Sequence, residues 1–274
     1  MDCRLKNITI YYEIHGEGYP ILMLHGFFPD HRLLKGCMEP IFNERPNFKR
    51  IYLDLPGMGK TKGESWIQNS DHFLNIVIQF IDNIIPNQNF LIIGDSYGAY
   101  LARGLLYKKF DFVDGICLIC PLIEPNPSKR KLPKFITIIE DQDLIAKIEP
   151  SEVADFVDSI VVQTPRVWER YKNEVLSGIK DKDLEFLTKI FEEGYPFSFN
   201  VDKLIKQFDK PTLFLLGRQD NTVGYQDAWK IIESYTRATF SVLDKAGHNL
   251  QIEQENLFNS LINEWLDRVE ENLI

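Results

Sequence analysis

What most restricts the fold of this chain is a succession of short apolar runs, each closed by a glycine or proline and usually followed by a helix-like stretch. They fall at Ile21 to Leu24, Arg50 to Leu53, Phe90 to Ile93, Gly115 to Ile119, Thr212 to Leu216 and Thr239 to Leu243. A strand covered by helices on both faces has no polar face to show, so its sequence loses the alternation of a half-exposed strand. Such runs, alternating with helical segments, predict an α/β domain on a mostly parallel sheet. Ahead of them, Asn7 to Tyr12 alternates polar and apolar residues, and Gly16 and Gly18 mark a turn. The clearest helix is the last, where Phe258, Leu261, Ile262, Trp265 and Val269 recur at three-four spacing and form one apolar stripe.

The alternation stops between Pro121 and about Asn200. Helical patterning alone continues there, and so long a stretch is not a structureless loop. Residues 1–120 and 201–274 are therefore expected to form one core, with 121–200 inserted as a helical subdomain. Val153, Phe156, Val157 and Ile160 keep helical spacing behind Pro150 and Ser151, and Leu184, Leu187 and Phe191 do so behind Asp183. Tyr195, Phe197 and Phe199 close the stretch; they either pack the subdomain on the core or line a cavity beneath it.

Composition narrows the partners. The 274 residues carry 31 Lys and Arg against 40 Asp and Glu, a formal net charge of -9. That balance argues against nucleic acid, whose phosphates call for a cationic surface. With 44% hydrophobic residues but nothing near a run of about 18 uncharged apolar ones, the chain reads as globular and not membrane-spanning. The first residues show no secretory pattern, so a cytoplasmic location is expected. Cys3, Cys37, Cys117 and Cys120 are expected to be buried, reduced thiols, because an offset of three puts Cys117 and Cys120 on opposite faces of a strand.

Chemistry concentrates at strand ends. Directly after Phe90 to Ile93 stand Gly94, Asp95, Ser96, Tyr97 and Gly98, and Ala99 to Tyr107 can form a helix. A serine on a sharp strand-to-helix turn has its hydroxyl pushed out of the sheet edge, and the turn tolerates only small neighbours two residues away. The helix behind it aims N-terminal amides at the same point. Ser96 is thus a candidate nucleophile. It needs a base, and His248 follows the run Thr239 to Leu243 in a loop at the same edge of the sheet. His15, His31 and His72 lack such a placement and read as surface or packing residues, while His25 is expected to shape its own loop. The acid that holds the base is Asp220, four residues past Thr212 to Leu216; Asp227, in a helix-like segment, and Glu124, after Cys120, are its rivals. Main-chain N–H groups of Tyr97 and of Phe27, behind His25 and Gly26, are the natural oxyanion donors.

With Leu24-His25-Gly26, Asp54 to Gly59, Gly94 to Gly98, Gly217 to Asp220 and Gly247-His248, the chain resembles the α/β-hydrolase fold over nearly its whole length. The resemblance implies Ser96, Asp220 and His248 as nucleophile, acid and base, in the chain order of that fold, and 121–200 as a helical cap after strand six. Haloalkane dehalogenases and epoxide hydrolases share the architecture but use an aspartate where this chain has Ser96. Gly59-Lys60-Thr61 is not a phosphate loop, since Asp54 stands where the first glycine is needed.

The leading expectation is a serine hydrolase, without cofactor or metal, acting on a small carboxylic ester or related acyl substrate. Phe28, Trp168, Tyr195 and Phe197 are expected to wall its pocket. Other readings are an aminopeptidase of the proline iminopeptidase type, with Glu192 and Glu193 reading the amine, a carbon-carbon bond hydrolase, a hydroxynitrile-lyase-like lyase, and a non-catalytic small-ligand binder.

Overall fold

In the computed structural model, which describes residues 1–273, the described residues form an eight-stranded sheet. Its strands are β1 (Asp2–Arg4), β2 (Thr9–His15), β3 (Tyr19–Leu24), β4 (Phe48–Leu53), β5 (Phe90–Asp95), β6 (Val113–Ile119), β7 (Thr212–Gly217) and β8 (Ala238–Leu243). Their spatial order is β1-β2-β4-β3-β5-β6-β7-β8. β2 runs antiparallel to β1 and β4, and every pairing from β4 to β8 is parallel.

The apolar runs are the interior strands. β5 and β7 are buried at every residue, and β3 and β6 at all but one. Each Ile or Leu withdrawn from water there contributes about 1.5–3 kcal/mol, which makes the centre of the sheet the most strongly specified part of the fold. β8 departs from the expectation of two covered faces. It is the end strand, five of its six residues are half-buried or exposed, and Val242 is 36% exposed. The short strand β1 leaves no run in the sequence and is added at the other end through pairing with β2.

Helices α1 (Arg32–Phe42), α2 (Ser70–Ile84) and α3 (Tyr97–Lys108) connect the first strands. Between β6 and β7 lie α4 (Gln142–Ile145), α5 (Pro150–Ser159), α6 (Pro165–Arg170), a π-helical turn Tyr171–Leu176, α7 (Ser177–Lys180) and α8 (Leu184–Glu193). α9 (Leu250–Glu253) and α10 (Glu255–Leu273) end the chain. α2 packs on α3, and α1 on α10. The stripe of α10 is buried as Phe258, Ile262, Trp265, Leu266 and Val269, with Leu261 at its margin, and Trp265 donates its indole N–H to the Pro211 carbonyl at 3.0 Å.

In the helical segment the start signals lie where the helices begin. Pro150 opens α5, and the Asp183 side chain accepts the Phe186 N–H ahead of α8. The buried face of α8 is Leu187 and Ile190, whereas Leu184 and Phe191 are 58% and 38% exposed. The π-helical turn packs on α1, where a side chain at Gly36 would collide with Glu174. No helix of the described residues is long and apolar enough to cross a membrane.

Candidate active site

β5 ends at Asp95 and α3 begins at Tyr97, so Ser96 alone makes the turn. Its φ of 51° and ψ of -112° lie where L residues are rarely found, a strain of about 1–3 kcal/mol that the surroundings must hold. The Ser96 N–H donates to the Ile119 carbonyl at 2.9 Å, and its own carbonyl accepts from Tyr100 and Leu122 at 3.1 and 3.2 Å. The glycines on either side are steric requirements. A Cβ at Gly98 would stand 2.0 Å from the Leu24 carbonyl oxygen, and one at Gly94 2.6 Å from that of Gly98.

Two further strand ends meet this turn. Asp220 follows β7 and His248 follows β8, and a Cβ on Gly217 would lie 2.1 Å from the Gly247 oxygen, so glycine lets the two loops touch. His248 Nε2 is 3.0 Å from Ser96 Oγ, and Nδ1 is 2.9 Å from Asp220 Oδ2. The other Asp220 oxygen accepts the Thr222 and Val223 N–H groups at 2.8 and 3.1 Å. Burial pushes the Asp220 carboxyl up, but the charge and hydrogen bond of His248, with the two main-chain donors, outweigh it and hold the group below the ordinary carboxylate value. Burial likewise opposes the charge on His248, and the Asp220 carboxylate overcomes it, raising the imidazole pKa. A carboxylate on one nitrogen and a hydroxyl on the other is the arrangement that turns an imidazole into a general base toward serine. The rivals lie elsewhere. Asp227 is bound to Lys230 and to the Lys131 N–H, and Glu124 accepts the Asn126 N–H.

The loop after β3 faces Ser96. His25 Nδ1–H donates to the Gly26 carbonyl at 2.7 Å, and Nε2 accepts the Leu55 N–H at 3.0 Å, so this histidine fixes the loop's shape and is fully buried in doing so. His31 is also buried, bound to Asp54, whose other oxygen takes the Lys60 N–H; this is the tight loop of Asp54 to Gly59. Among the described residues, no hydrogen bond within the protein engages the Phe27 or Tyr97 N–H. Tyr97, as the first residue of α3, has no intrahelical acceptor to offer its own N–H. Phe28 has a φ of 87°, a second strained residue beside the site.

Ser96 and His248 open into a cavity of about 300 Å³. Phe27, Phe28 and Leu33 line it from the core, and Tyr171, Val175, Ile179, Phe191 and Tyr195 from the helical segment. Tyr195 stacks on Tyr97 with ring centroids 5.1 Å apart. Of the four aromatic residues expected to wall the pocket, Phe28 and Tyr195 do so. Trp168 and Phe197 do not, which corrects that expectation. Trp168 packs edge-on to Phe156 inside the helical segment, and Phe197 lies against Tyr100 and Phe199 and over Gly104. Both rings satisfy packing between elements, which an aromatic sequence cannot distinguish from pocket lining.

Five polar residues of the cavity, Asp95, Arg130, Ser159, Thr222 and Asn249, were not singled out from the sequence, and the first two are ionisable. Asp95 is 3% exposed, its Oδ1 has no partner, and burial pushes its pKa up to about 7, with His248 opposing and Asp220 assisting. Its position inside the five-residue motif was the only signal. Arg130 lines the same cavity from the loop after β6, and nothing in its neighbours Lys129 and Lys131 marks it. Two clusters bring three potential metal-ligating side chains within 4.8 Å, namely Cys120, Asp220 and His248, and Asp30, His31 and Asp54. Asp220 and His248 are engaged with each other and with Ser96, and Asp54 with His31 and Lys60, so the donors already have partners. All four cysteines are buried and unpaired.

A mostly parallel eight-stranded sheet flanked by helices, with a serine turn at the end of its central strand, defines the α/β hydrolases. Within that class the chain belongs to the serine aminopeptidase S33 family, whose model matches residues 20–255. It superposes on an alpha/beta superfamily hydrolase from Oenococcus oeni PSU-1 with a TM-score of 0.88 and 31% identity, covering 98% of this chain and 99% of that one. It is 20% identical to the pimeloyl-[acyl-carrier protein] methyl ester esterase of Legionella pneumophila (strain Paris), over 94% of this chain and all of the relative. It is 21% identical to the 2-hydroxymuconate semialdehyde hydrolase of Pseudomonas sp. (strain CF600), over 92% and 88% of the two chains.

Proposed function

We propose that the protein is a serine hydrolase of small carboxylic esters, working through an acyl-enzyme on Ser96. The observation that carries this is the imidazole of His248, within hydrogen-bond reach of Ser96 Oγ on one side and of Asp220 on the other. His248 takes the hydroxyl proton as Ser96 Oγ attacks the carbonyl carbon. The N–H groups of Phe27 and Tyr97 receive the oxyanion, and such donors are worth about 3–4 kcal/mol each in the transition state. His248 then protonates the departing alkoxide, which leaves as an alcohol. Water, deprotonated by the same nitrogen, attacks the acyl-serine and releases the acid. The helical segment between β6 and β7 acts as a cap, closing an apolar chamber over the reacting atoms. The four buried thiols fit a reducing compartment, and we place the protein in the cytoplasm.

The ester reading is preferred over aminopeptidase action because Glu192 and Glu193 are exposed and do not line the cavity. Resemblance to a 2-hydroxymuconate semialdehyde hydrolase supports a second reading, carbon-carbon bond hydrolysis with the same three residues. A fluorophosphonate probe should label Ser96, and 4-nitrophenyl esters should be hydrolysed by the wild type but not by Ser96→Ala. Turnover retained in Ser96→Ala, or absence of labelling, refutes the reading.

A further inference from the structure

Arg130 places a cation at the wall of a chamber lined mainly, though not only, by apolar side chains, and its bonding is unusual. Nε donates to the Glu124 carbonyl at 2.9 Å, Nη1 to that of Thr222 at 3.0 Å and Nη2 to that of Pro125 at 3.1 Å. All three acceptors are neutral main-chain oxygens. Among the described residues no carboxylate lies within 4.0 Å of the guanidinium, whereas the other half-buried or buried arginines Arg32, Arg45, Arg50, Arg103, Arg170 and Arg268 each hold one. Asp220 and Glu124 act on Arg130 only through longer-range attraction, and burial lowers its pKa. A guanidinium has five N–H groups, so one on each terminal nitrogen remains after these three bonds. Three carbonyls from two loops therefore hold a partly desolvated positive charge at the wall of the cavity that Ser96 opens into. A charge removed from water without a counter-ion is costly, and an incoming anion relieves that cost.

We infer that the substrate is an ester bearing a carboxylate, and that Arg130 receives this carboxylate while the ester carbonyl lies at Ser96. The inference rests on Ser96 as nucleophile. A carboxylate matches the planar donor set of a guanidinium better than a neutral polar group does. Asp95, the other ionisable wall residue besides the tyrosines and His248, has its pKa pushed up to about 7 by burial, so it opposes an anion less than an ordinary carboxylate would at neutral pH and more as pH rises. The aliphatic and aromatic walls accommodate the chain between ester and carboxylate.

The test compares three ester series of matched length in the full chain: half-esters of aliphatic dicarboxylic acids, acetyl esters of hydroxy acids, and neutral esters. The first two place the carboxylate on the acyl and alcohol sides respectively. Arg130→Gln should raise KM for one carboxylate series at least about tenfold more than for the neutral series, the loss expected for a hydrogen bond to a charged group. Arg130→Lys should recover part of the loss. Equal effects on all three series would show that Arg130 only ties its loops together, and would overturn the inference. A measurement free of any variant uses aliphatic carboxylates and alcohols of equal length as competitive inhibitors of neutral-ester turnover. The carboxylate should bind at least tenfold tighter, and equal inhibition by the alcohol also overturns the inference. Turnover persisting in Ser96→Ala instead removes the nucleophile reading, so the two failures are distinct.

Discussion

The Glu253 carboxylate accepts the Gly247 N–H on one oxygen and the Val161 N–H on the other, each at 2.6 Å. Gly247 precedes His248, and Val161 lies between α5 and α6. One buried side chain thus joins the loop of the proposed base to the helical segment. The Val162 N–H also reaches it, at 3.4 Å, so removing it leaves three buried donors without this acceptor, at about 1–3 kcal/mol each. Glu253→Ala should lower Tm and, by letting His248 drift from Ser96, lower kcat about ten- to a hundredfold with little change in KM. Glu253→Gln keeps one acceptor and should fall between. A Tm loss with kcat intact would restrict Glu253 to a structural role.

In the proposed mechanism the raised pKa of His248 sets the acid limb of activity. The base must be neutral to take the Ser96 proton, so kcat/KM should rise with pH and reach half its plateau above 6.5, the ordinary imidazole value. Asp220→Asn removes the charge that stabilises the imidazolium. It should move this limb to lower pH while reducing kcat by about 10³- to 10⁴-fold. A pH-rate profile of both proteins checks the shift, and an unmoved limb would uncouple Asp220 from His248.

Asp95 makes stability depend on pH in the opposite sense from a paired carboxylate. Its folded pKa of about 7 stands above the ordinary 3.8, so between those values the native state holds a proton that the unfolded chain releases. Stability should therefore be greatest toward the acid end of that window and fall as pH rises to 7, by at most about 1.4 kcal/mol per pH unit. Glu253, pushed up to about 7 by burial against the pull of its main-chain donors, adds a slope of the same sign from 4.5 upward. Asp95→Asn should flatten the urea-unfolding free energy across the window. An unchanged slope would show that Asp95 ionises normally.

Phe191 and Phe197 separate pocket from packing. Phe191 lines the cavity and is 38% exposed, so Phe191→Ala should alter KM for apolar esters and leave Tm within a few degrees. Phe197 is wedged between Tyr100, Phe199 and Gly104, and Phe197→Ala should cost about 3–5 kcal/mol of stability with KM unchanged. Calorimetry and steady-state kinetics on the pair check the assignment.

Much of this arrangement is legible before any coordinates. Continuous apolar runs mark strands that are covered on both faces, and the residues that follow them sit at one edge because parallel strands share a direction. Ser96, Asp220 and His248 could be picked out for that reason, and Gly94 and Gly98 because a serine turn leaves no room for a Cβ. The same logic fails for β8, since a run of apolar residues does not say whether another strand lies beyond it. It fails for Trp168 and Phe197 too, because an aromatic residue in a sequence does not say whether its ring meets a neighbouring element or a cavity.

What the amino-acid order determined by itself is local: where strands stop, which turns demand glycine, and which side chains stand at strand ends. Only the tertiary structure decided that Asp95 is buried without a partner, that Arg130 faces the cavity without a counter-ion, and that Glu253 joins two distant segments. The reason is physical. Desolvation and the lack of a partner depend on every group that surrounds an atom, and those groups come from positions scattered along the chain.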